Sequence, residues 1–316
     1  PGAHHQGRRE VHPDQCLEHP GPRPAEFAMS ASAADGEADV AAVGEEPVRQ
    51  PRVDVSVGRT GDKRVPAPLD RRHVLGWEAI GTLAVISIGS LYKIAVLRRG
   101  GEAVAEIAGL FGWHRYLGHL TGGGTMANLE ALWISGRVKP QLKVVASEQA
   151  HYTHRRISDV LGLTFQSVAC DDRGRMNIRS LRKTLDEGDV GTVVATMGTT
   201  GSGSVDPLPE ILELRQRYGF RLHADAAYGG YFILSDNLAS DTRKALACLT
   251  QVDSIVLDPH KHGLQPYGCG CVLYRDPEVG KFYKHDSPYT YFSSSELHLG
   301  EISLECSRPG ASAVAL

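Results

Sequence analysis

The sequence predicts an α/β fold with a mostly parallel sheet and helices on both faces. The first observation is a series of short runs that are apolar throughout, as in strands covered on both sides. The second is that helical patterns separate these runs, which is typical of α/β proteins. The runs are residues 142–146, 164–169, 192–197, 221–224, 254–257 and 271–274.

The helices can be justified in chain order from residue 101. An amphipathic pattern predicts a helix at 102–111, and the glycine-rich turn 121–125 opens a second helix at 126–135. Four more helical patterns lie between the apolar runs, and the final run is a candidate for an antiparallel strand. These four patterns are residues 154–161, 178–186, 208–218 and 237–249.

The composition is that of an ordinary soluble globular protein. The chain has 316 residues, of which 41% are hydrophobic and 22% are charged, and its formal net charge is -3. This charge gives no reason to expect nucleic acid or an anionic membrane as a partner. The expected partner is a small molecule.

The first hundred residues differ from the remainder. Residues 1–70 are rich in Pro, Gly, Ala and charge without apolar periodicity, so we expect a disordered or non-native leader. Residues 71–100 are expected to form an N-terminal arm. Its apolar stretch is interrupted by Glu78 and Lys93, and the uncharged part, 79–92, is shorter than the roughly 20 residues of a membrane span. With no recognisable signal peptide, the protein is expected to lack membrane contact.

Cysteine and histidine spacing argues against a metal site. The six cysteines are scattered, and Cys269 and Cys271 alternate along one strand, so their side chains point to opposite faces. None of the 14 histidines has the H-E-x-x-H spacing of a zinc site. Free thiols in a reducing cytoplasm, and no metal, are the expectation.

Chemically distinctive residues fall where predicted strands end. Asp225 ends one strand, His260 and Lys261 follow another, and Thr200 follows a third. Ligands of parallel sheets bind beyond these strand ends, so the positions indicate a site. Each motif also has a plain structural interpretation: Thr125 as a helix cap, Asp225 as a cap on the following turn, and a lysine covering a strand end.

Five motifs in this order resemble the pyridoxal-phosphate-dependent group II amino-acid decarboxylases. The run around Lys261 is particularly similar to bacterial glutamate decarboxylases, and Ser307–Pro309 is similar to the same branch. The resemblance extends from about residue 101 to the C-terminus. The five motifs are GGTMANL at 123–129, QAH at 149–151, GTT at 198–200, DAAYG at 225–229 and HK at 260–261.

The resemblance implies the fold type I large domain over residues 101–316 and pyridoxal 5'-phosphate as cofactor. It implies that Lys261 binds the cofactor covalently, that Asp225 pairs with the pyridine nitrogen, and that His151 stacks on the ring. Each of these three would be catalytic. The remaining implied roles are ring packing by Ala227, phosphate binding by Gly124 and Thr125 with His260 close by, a place near the ring substituents for Thr200, and substrate carboxylate contact or site structure for Arg308.

The resemblance implies decarboxylation of an acidic or aromatic L-amino acid to the amine and carbon dioxide. Another fold type I activity, of an aminotransferase or lyase, is the first alternative. The second is a catalytically incomplete fragment, because relatives carry a small C-terminal domain that is expected to be missing here. Homodimerisation is implied by the resemblance alone.

Overall fold

The computed structural model describes residues 99–284, 303–305 and 310–316. The predicted leader 1–70 and the arm up to residue 98 lie outside this range, as does Arg308. The arm's apolar stretch is therefore also outside it. Within the described residues, no helix is both long enough and apolar enough to cross a membrane.

A seven-stranded sheet lies at the centre of the described residues. Its spatial order is β1-β7-β6-β5-β4-β2-β3. Strands β2 to β6 run parallel, whereas β7 is antiparallel to both of its neighbours, as the sequence suggested for this strand. The strands are β1 Leu117–Thr121, β2 Lys143–Ser147, β3 Phe165–Val168, β4 Val190–Thr196, β5 Arg221–Asp225, β6 Ser254–Leu257 and β7 Gly270–Tyr274.

The helices connect the strands and cover the sheet. Three short 3-10 segments, Gly230–Leu234, Cys248–Gln251 and Pro277–Phe282, supplement them. The helices are α1 at residues 99–110, α2 Gly124–Val138, α3 Thr153–Val160, α4 Ile178–Asp186, α5 Leu208–Tyr218, α6 Ser240–Ala247 and α7 Ala311–Ala315.

Alternate residues of the strands point to opposite faces of the sheet, and both faces are covered by apolar side chains. Val145, Val193 and Ile255 pack with residues of α1, α4, α5 and α6 on one face. Val194 and Val256, each one residue along from these, pack on the other face with α2 and α3. This alternation is that of a sheet buried on both sides, so the predicted α/β class with helices on both faces is confirmed.

Local sequence signals explain the elements that were predicted well. Helix α4 begins where the Asn177 side chain accepts a hydrogen bond from the Ser180 backbone N–H. Helix α5 follows Pro207 and ends at Gly219, which is left-handed with φ 71°. That turn leads directly into β5, whose last residue is Asp225.

Strand β1 was absent from the predicted elements. Its sequence LGHLT contains a glycine and a histidine and does not read as a continuous apolar run. The strand forms because β7 pairs with it along five residues. Gly118 is needed there, since a Cβ would lie 2.5 Å from the Leu273 side chain. Helix α6 is also shorter than predicted, because the chain tightens into a 3-10 turn at Cys248.

Candidate active site

The predicted site residues gather at one edge of the sheet. Asp225 ends β5, Asp258 to Lys261 follow β6, and His151 follows β2. Because these strands are parallel, the segments after them emerge at the same edge. Strand β1 runs in the same direction as β2 to β6, and helix α2 begins directly after it. The N-terminus of α2 therefore lies at this edge as well.

Asp225 is buried, and each of its two carboxylate oxygens accepts one hydrogen bond. Its Oδ2 accepts a hydrogen bond from His154 Nε2 at 2.8 Å, and its Oδ1 accepts one from the Ala227 backbone N–H at 3.2 Å. Burial opposes ionisation, but the hydrogen bond and electrostatic interaction with His154 and the hydrogen bond from the Ala227 backbone N–H outweigh it and lower the pKa of Asp225. The carboxyl is thus held as a carboxylate. The bond to Ala227 shows that Asp225 also caps its turn.

His151 is half-buried beside the other ionisable groups of this edge. Burial lowers the pKa of His151, and Asp225, Lys261 and Asp258 all interact with it electrostatically. Its Nδ1 accepts a hydrogen bond from the Thr153 backbone N–H at 3.3 Å. The neutral ring therefore carries its proton on Nε2.

Lys261 forms an ion pair with Asp258. Its Nζ lies 3.0 Å from Asp258 Oδ2, and its side chain is 38% exposed whereas that of Asp258 is 3% exposed. Burial raises the pKa of Asp258, and the charge and hydrogen bond of Lys261 oppose that rise. The second oxygen, Oδ1, is buried without a hydrogen-bond partner. The amine is accessible to a ligand while the carboxyl below it is not.

His260 stands between this ion pair and β7. Its Nδ1 donates a hydrogen bond to the Cys269 carbonyl at 2.6 Å, and its ring stacks on Tyr267 at 4.8 Å. The opposite nitrogen, Nε2, lies 3.8 Å from Asp258 Oδ2. The backbone just before β7 thereby fixes the orientation of the ring.

The glycine-rich turn brings backbone close to Asp258. Helix α2 starts at Gly124 after the N-cap residue Gly123, whose φ of 140° favours glycine, and no side chain caps the helix. The interpretation of Thr125 as a side-chain cap is therefore wrong, and this residue is exposed. A Cβ on Gly124 would lie only 2.5 Å from Asp258 Oδ2.

The floor of the site is close-packed backbone. Gly198, with φ 110°, adjoins Gly229, where a Cβ would collide with the Met197 carbonyl. Ala227 is 7% exposed and offers only a methyl group. Thr200 is exposed within the loop after β4. Only small side chains therefore stand at these strand ends.

Two contributors were not assigned roles from sequence. His154 is fully buried and bonds directly to Asp225, and Asp258 pairs with Lys261. Asp258 could have been found from its position three residues before the lysine. His154 carries no such local signal, because its bond to Asp225 spans 71 residues of sequence.

One cavity is distinct from this edge. It has a volume of about 620 Å³ and lies between the loop after β4 and helices α5 and α6. Arg173, Asp206 and Asp241 are among its lining residues, and none of the predicted site residues is. Arg173 and Asp241 form an ion pair with each other.

Comparison with known protein families identifies the domain. Residues 125–313, more than half of the chain, match the model described as the pyridoxal-dependent decarboxylase conserved domain. This range includes β2 to β7 and every strand-end residue described above.

Curated relatives carry decarboxylase names. The chain is 34% identical over 203 residues to a probable L-tyrosine/L-aspartate decarboxylase of Methanothermobacter thermautotrophicus, covering 63% of this chain and 53% of the relative. It is 31% identical over 220 residues to the L-aspartate decarboxylase of Thermococcus kodakarensis, covering 68% and 56%. The chain therefore spans about half the length of these relatives.

Solved structures have the same fold. The crystal structure of mouse CSAD is similar with a TM-score of 0.62 and 27% identity, covering 70% of this chain and 50% of that one. The structure of Oryza sativa TDC with PLP and tryptamine has a TM-score of 0.64 at 20% identity, covering 75% and 56%, and supports the fold alone. With the family match, these findings establish that the chain belongs to the pyridoxal-dependent decarboxylase family and has the α/β architecture of fold type I enzymes.

Proposed function

We propose that this chain binds pyridoxal 5'-phosphate at the carboxyl edge of its sheet and decarboxylates an acidic or aromatic L-amino acid. The observation that carries the proposal is the placement of a buried carboxylate, Asp225, and an accessible amine, Lys261, at the ends of neighbouring parallel strands. A cofactor that needs a ring-nitrogen partner and an attached lysine uses these two groups.

The anionic end of the cofactor suits the start of α2. No side chain caps this helix, so its first backbone N–H groups and the positive end of its dipole are available to a phosphate. The absence of a side chain at Gly123 and Gly124 permits close approach of that backbone. Thr125 and His260 are the proposed side-chain neighbours of the phosphate.

The ring suits the space above β5. Asp225 provides a fixed negative charge for a protonated ring nitrogen. His151 offers one flat surface and Ala227 a small apolar one, which is the arrangement that a planar ring requires. Thr200, exposed after β4, is the proposed neighbour of the ring substituents.

The cofactor, when bound, supplies an electron sink for the charge that remains on Cα after carbon dioxide departs. The residues of the chain supply position and protons. Lys261 Nζ attaches the cofactor and is the proposed proton donor to Cα, and His151 shields one side of the ring from water. Asp225 keeps the ring nitrogen protonated. Arg308, outside the described residues, is the proposed partner of a substrate carboxylate or a residue that structures the site.

The substrate class rests on two observations. The sequence around Lys261 is similar to that of glutamate decarboxylases, and relatives are named for aspartate and for tyrosine or aspartate. An acidic or aromatic amino acid accounts for both. An aminotransferase or lyase activity is the rival, and a chain that binds cofactor without turnover is a second rival because only about half of each relative is matched.

We also propose a homodimer that works in the cytoplasm. The segment after Lys261 exposes apolar side chains, with Leu264 76% and Tyr267 93% exposed beside the site. A second copy that covers this segment would bury them and enclose the lysine. Free thiols at the described cysteines agree with a reducing compartment.

The test is an absorbance spectrum of the purified chain with added pyridoxal phosphate. We expect a visible band that disappears in Lys261→Ala and persists in Lys244→Ala, which removes a lysine on α6 away from the site. The wild-type band establishes cofactor attachment separately from turnover. A chain without any band would contradict the proposed function.

Products then separate the activities. Incubation with aspartate, glutamate and tyrosine should release carbon dioxide and the corresponding amine. A keto acid instead of an amine would identify an aminotransferase. A bound cofactor without any product from these or other amino acids would favour the incomplete-fragment alternative.

A further inference from the structure

His154 is a buried side chain that the proposed chemistry leaves without a role. It lies in the first turn of α3 and is 0% exposed. Its Nε2 donates to Asp225 Oδ2 at 2.8 Å, across 71 residues of sequence. A buried polar ring at this position needs a partner, and the carboxylate provides it.

The start of α3 places two histidines together. The His154 backbone N–H donates to the His151 carbonyl at 3.1 Å, which closes a turn between them. His151 remains half-buried at the mouth of the site, whereas His154 points inward to Asp225. A single turn of the chain thus connects His151 to His154, the residue that donates to Asp225.

Two donors fix the plane of the Asp225 carboxylate. His154 occupies one lone pair of Oδ2, and the Ala227 N–H occupies one of Oδ1. Each carboxylate oxygen retains another lone pair for a further donor. The carboxylate is therefore oriented before any ligand arrives, which reduces the cost of binding one.

A second buried histidine supports this arrangement from behind. The His223 ring meets that of His154 edge-on at 6.3 Å, and its Nε2 donates to Asn128 Oδ1 at 2.8 Å. Its Nδ1 accepts from Ser254 Oγ at 2.9 Å, and burial lowers the pKa of His223 to about 3, so its ring is neutral.

Among the described residues, the ionisable groups that interact with Asp225 include His154 from α3, His223 from β5 itself, His151 from the loop before α3, and Asp258 after β6. Of these, the direct hydrogen bond to the carboxylate comes from His154.

We propose that His154 is a positioning residue that fixes the orientation and the negative charge of Asp225, and so sets how tightly the cofactor ring nitrogen is held. The inference rests on the proposed function, since it concerns the same site. It assigns His154 no contact with the substrate. Its effect is transmitted entirely through Asp225.

Three variants test the proposal. His154→Phe removes the donor while retaining an aromatic ring, and His154→Gln retains an N–H near the position of Nε2. The matched control is His119→Phe, because His119 is also buried and bonds a buried carboxylate, Glu130, at the same 2.8 Å. None of the predicted site residues is a hydrogen-bond partner of that pair, whose described partner is Tyr283.

The measurements are the dissociation constant of pyridoxal phosphate and the pH dependence of the visible band. We expect His154→Phe to weaken cofactor binding about 10-fold and to move the acid limit of the band to higher pH, because Asp225 loses the donor that favours its ionised form. His154→Gln should restore binding to within about 3-fold and show a smaller pH displacement. His119→Phe should lower the unfolding temperature without changing either.

The outcomes separate the two proposals. Suppose that the wild-type chain shows the band. An unchanged cofactor affinity and an unchanged acid limit in His154→Phe would then overturn this inference but not the proposed function, and so would an equal loss of cofactor affinity in His119→Phe. If His154→Phe does not fold, His154→Leu takes its place as the variant without a donor, and unchanged binding with an unchanged pH limit in that variant overturns the inference. Absence of the band from the wild-type chain would overturn the proposed function and this inference with it.

Discussion

The pKa values of two aspartates at the ends of neighbouring strands are shifted in opposite directions. Asp225 is the last residue of β5 and Asp258 directly follows β6, and they are 6% and 2% exposed. Burial disfavours the charge of both. The pKa of Asp225 is nevertheless lowered, because His154 and the Ala227 N–H donate to it, whereas that of Asp258 is raised.

The difference lies in the kind of partner. The donors to Asp225 are a buried ring and a backbone group, and neither is consumed by cofactor binding. The partner of Asp258 is the Lys261 amine, which the proposed attachment would engage. One carboxylate therefore holds a permanent charge, and the charge of the other depends on the state of the lysine.

The largest expected effect comes from Asp225→Ala, which removes the permanent charge. We expect loss of stability of about 3–5 kcal/mol, because His154 becomes a buried donor without its acceptor. Decarboxylation should fall by about 100-fold or more, since the ring nitrogen loses its partner. Denaturant titration measures the first effect and the rate of carbon dioxide release the second, and cofactor affinity is compared with that of a control variant.

The control for this change is Asp206→Ala. Asp206 is also buried and accepts backbone hydrogen bonds from Met176 and Thr196, but it lines the separate cavity. This variant should lose comparable stability while its folded form binds the cofactor normally. An equal loss of cofactor affinity in both variants would mean that Asp225 acts through stability alone.

The next effect comes from Gly124→Ala, which crowds Asp258 instead of Asp225. The added Cβ would lie 2.5 Å from Oδ2 and 2.8 Å from Oδ1 of Asp258. We expect a cost of about 1–3 kcal/mol in unfolding free energy. In the Asp258→Ala background the cost of the same substitution should fall by at least half, because the obstructing oxygens are gone.

Gly109→Ala is the control for the glycine substitution. This glycine lies in α1, where an added Cβ meets no atom within 4 Å, so alanine should be neutral or stabilising. Equal costs of Gly124→Ala in the presence and absence of the Asp258 side chain would contradict the proposed collision.

Local signals made most of the fold predictable from sequence. Helices α4 and α5 were predicted with the bounds that the structure has, because Asn177, Pro207 and Gly219 mark their ends. Strand β1 was not predicted, since its formation depends on pairing with β7, some 150 residues later in the chain.

The candidate site was likewise predictable only where local sequence specifies it. Asp225 and Lys261 could be selected because each lies at or just after the end of its own strand in sequence. The pairing of Lys261 with Asp258 spans three residues and was within reach of local reasoning. The hydrogen bond between His154 and Asp225 could not be predicted from local sequence. It depends on how α3 packs against β5, and no pattern of spacing specifies that packing.

A smaller effect is expected from Asp258→Asn, which should stabilise the cofactor-free protein. Its raised pKa means that the folded state penalises the charge, and the amide removes that penalty. Lys261 is 38% exposed and can be solvated by water after the change. We expect a gain of about 1 kcal/mol at neutral pH, measured by denaturant unfolding. A loss of stability would show that the ion pair is net favourable.

The smallest effect is a pH dependence of opposite sign at the two aspartates. The unfolded chain protonates Asp225 near pH 3.9 and the folded chain only at lower pH, so its contribution to stability is present above about pH 4 and lost below it. Asp258 is protonated in the folded chain at higher pH than in the unfolded chain, so stability falls as the pH rises from about 4 through its raised pKa.

Asn substitutions isolate these contributions. Relative to wild type, Asp225→Asn should flatten the loss of stability below about pH 4, and Asp258→Asn should flatten the decline above it, each on the order of 1 kcal/mol. Each variant's curve of stability against pH should be subtracted from that of the wild type. His223, whose pKa is about 3 in the folded chain, makes every variant lose stability as the pH falls below about 6.5, and the subtraction removes this shared effect. Difference curves of the same sign would show that the two carboxyls are governed by burial alone, without the distinction between a permanent and a lysine-dependent charge.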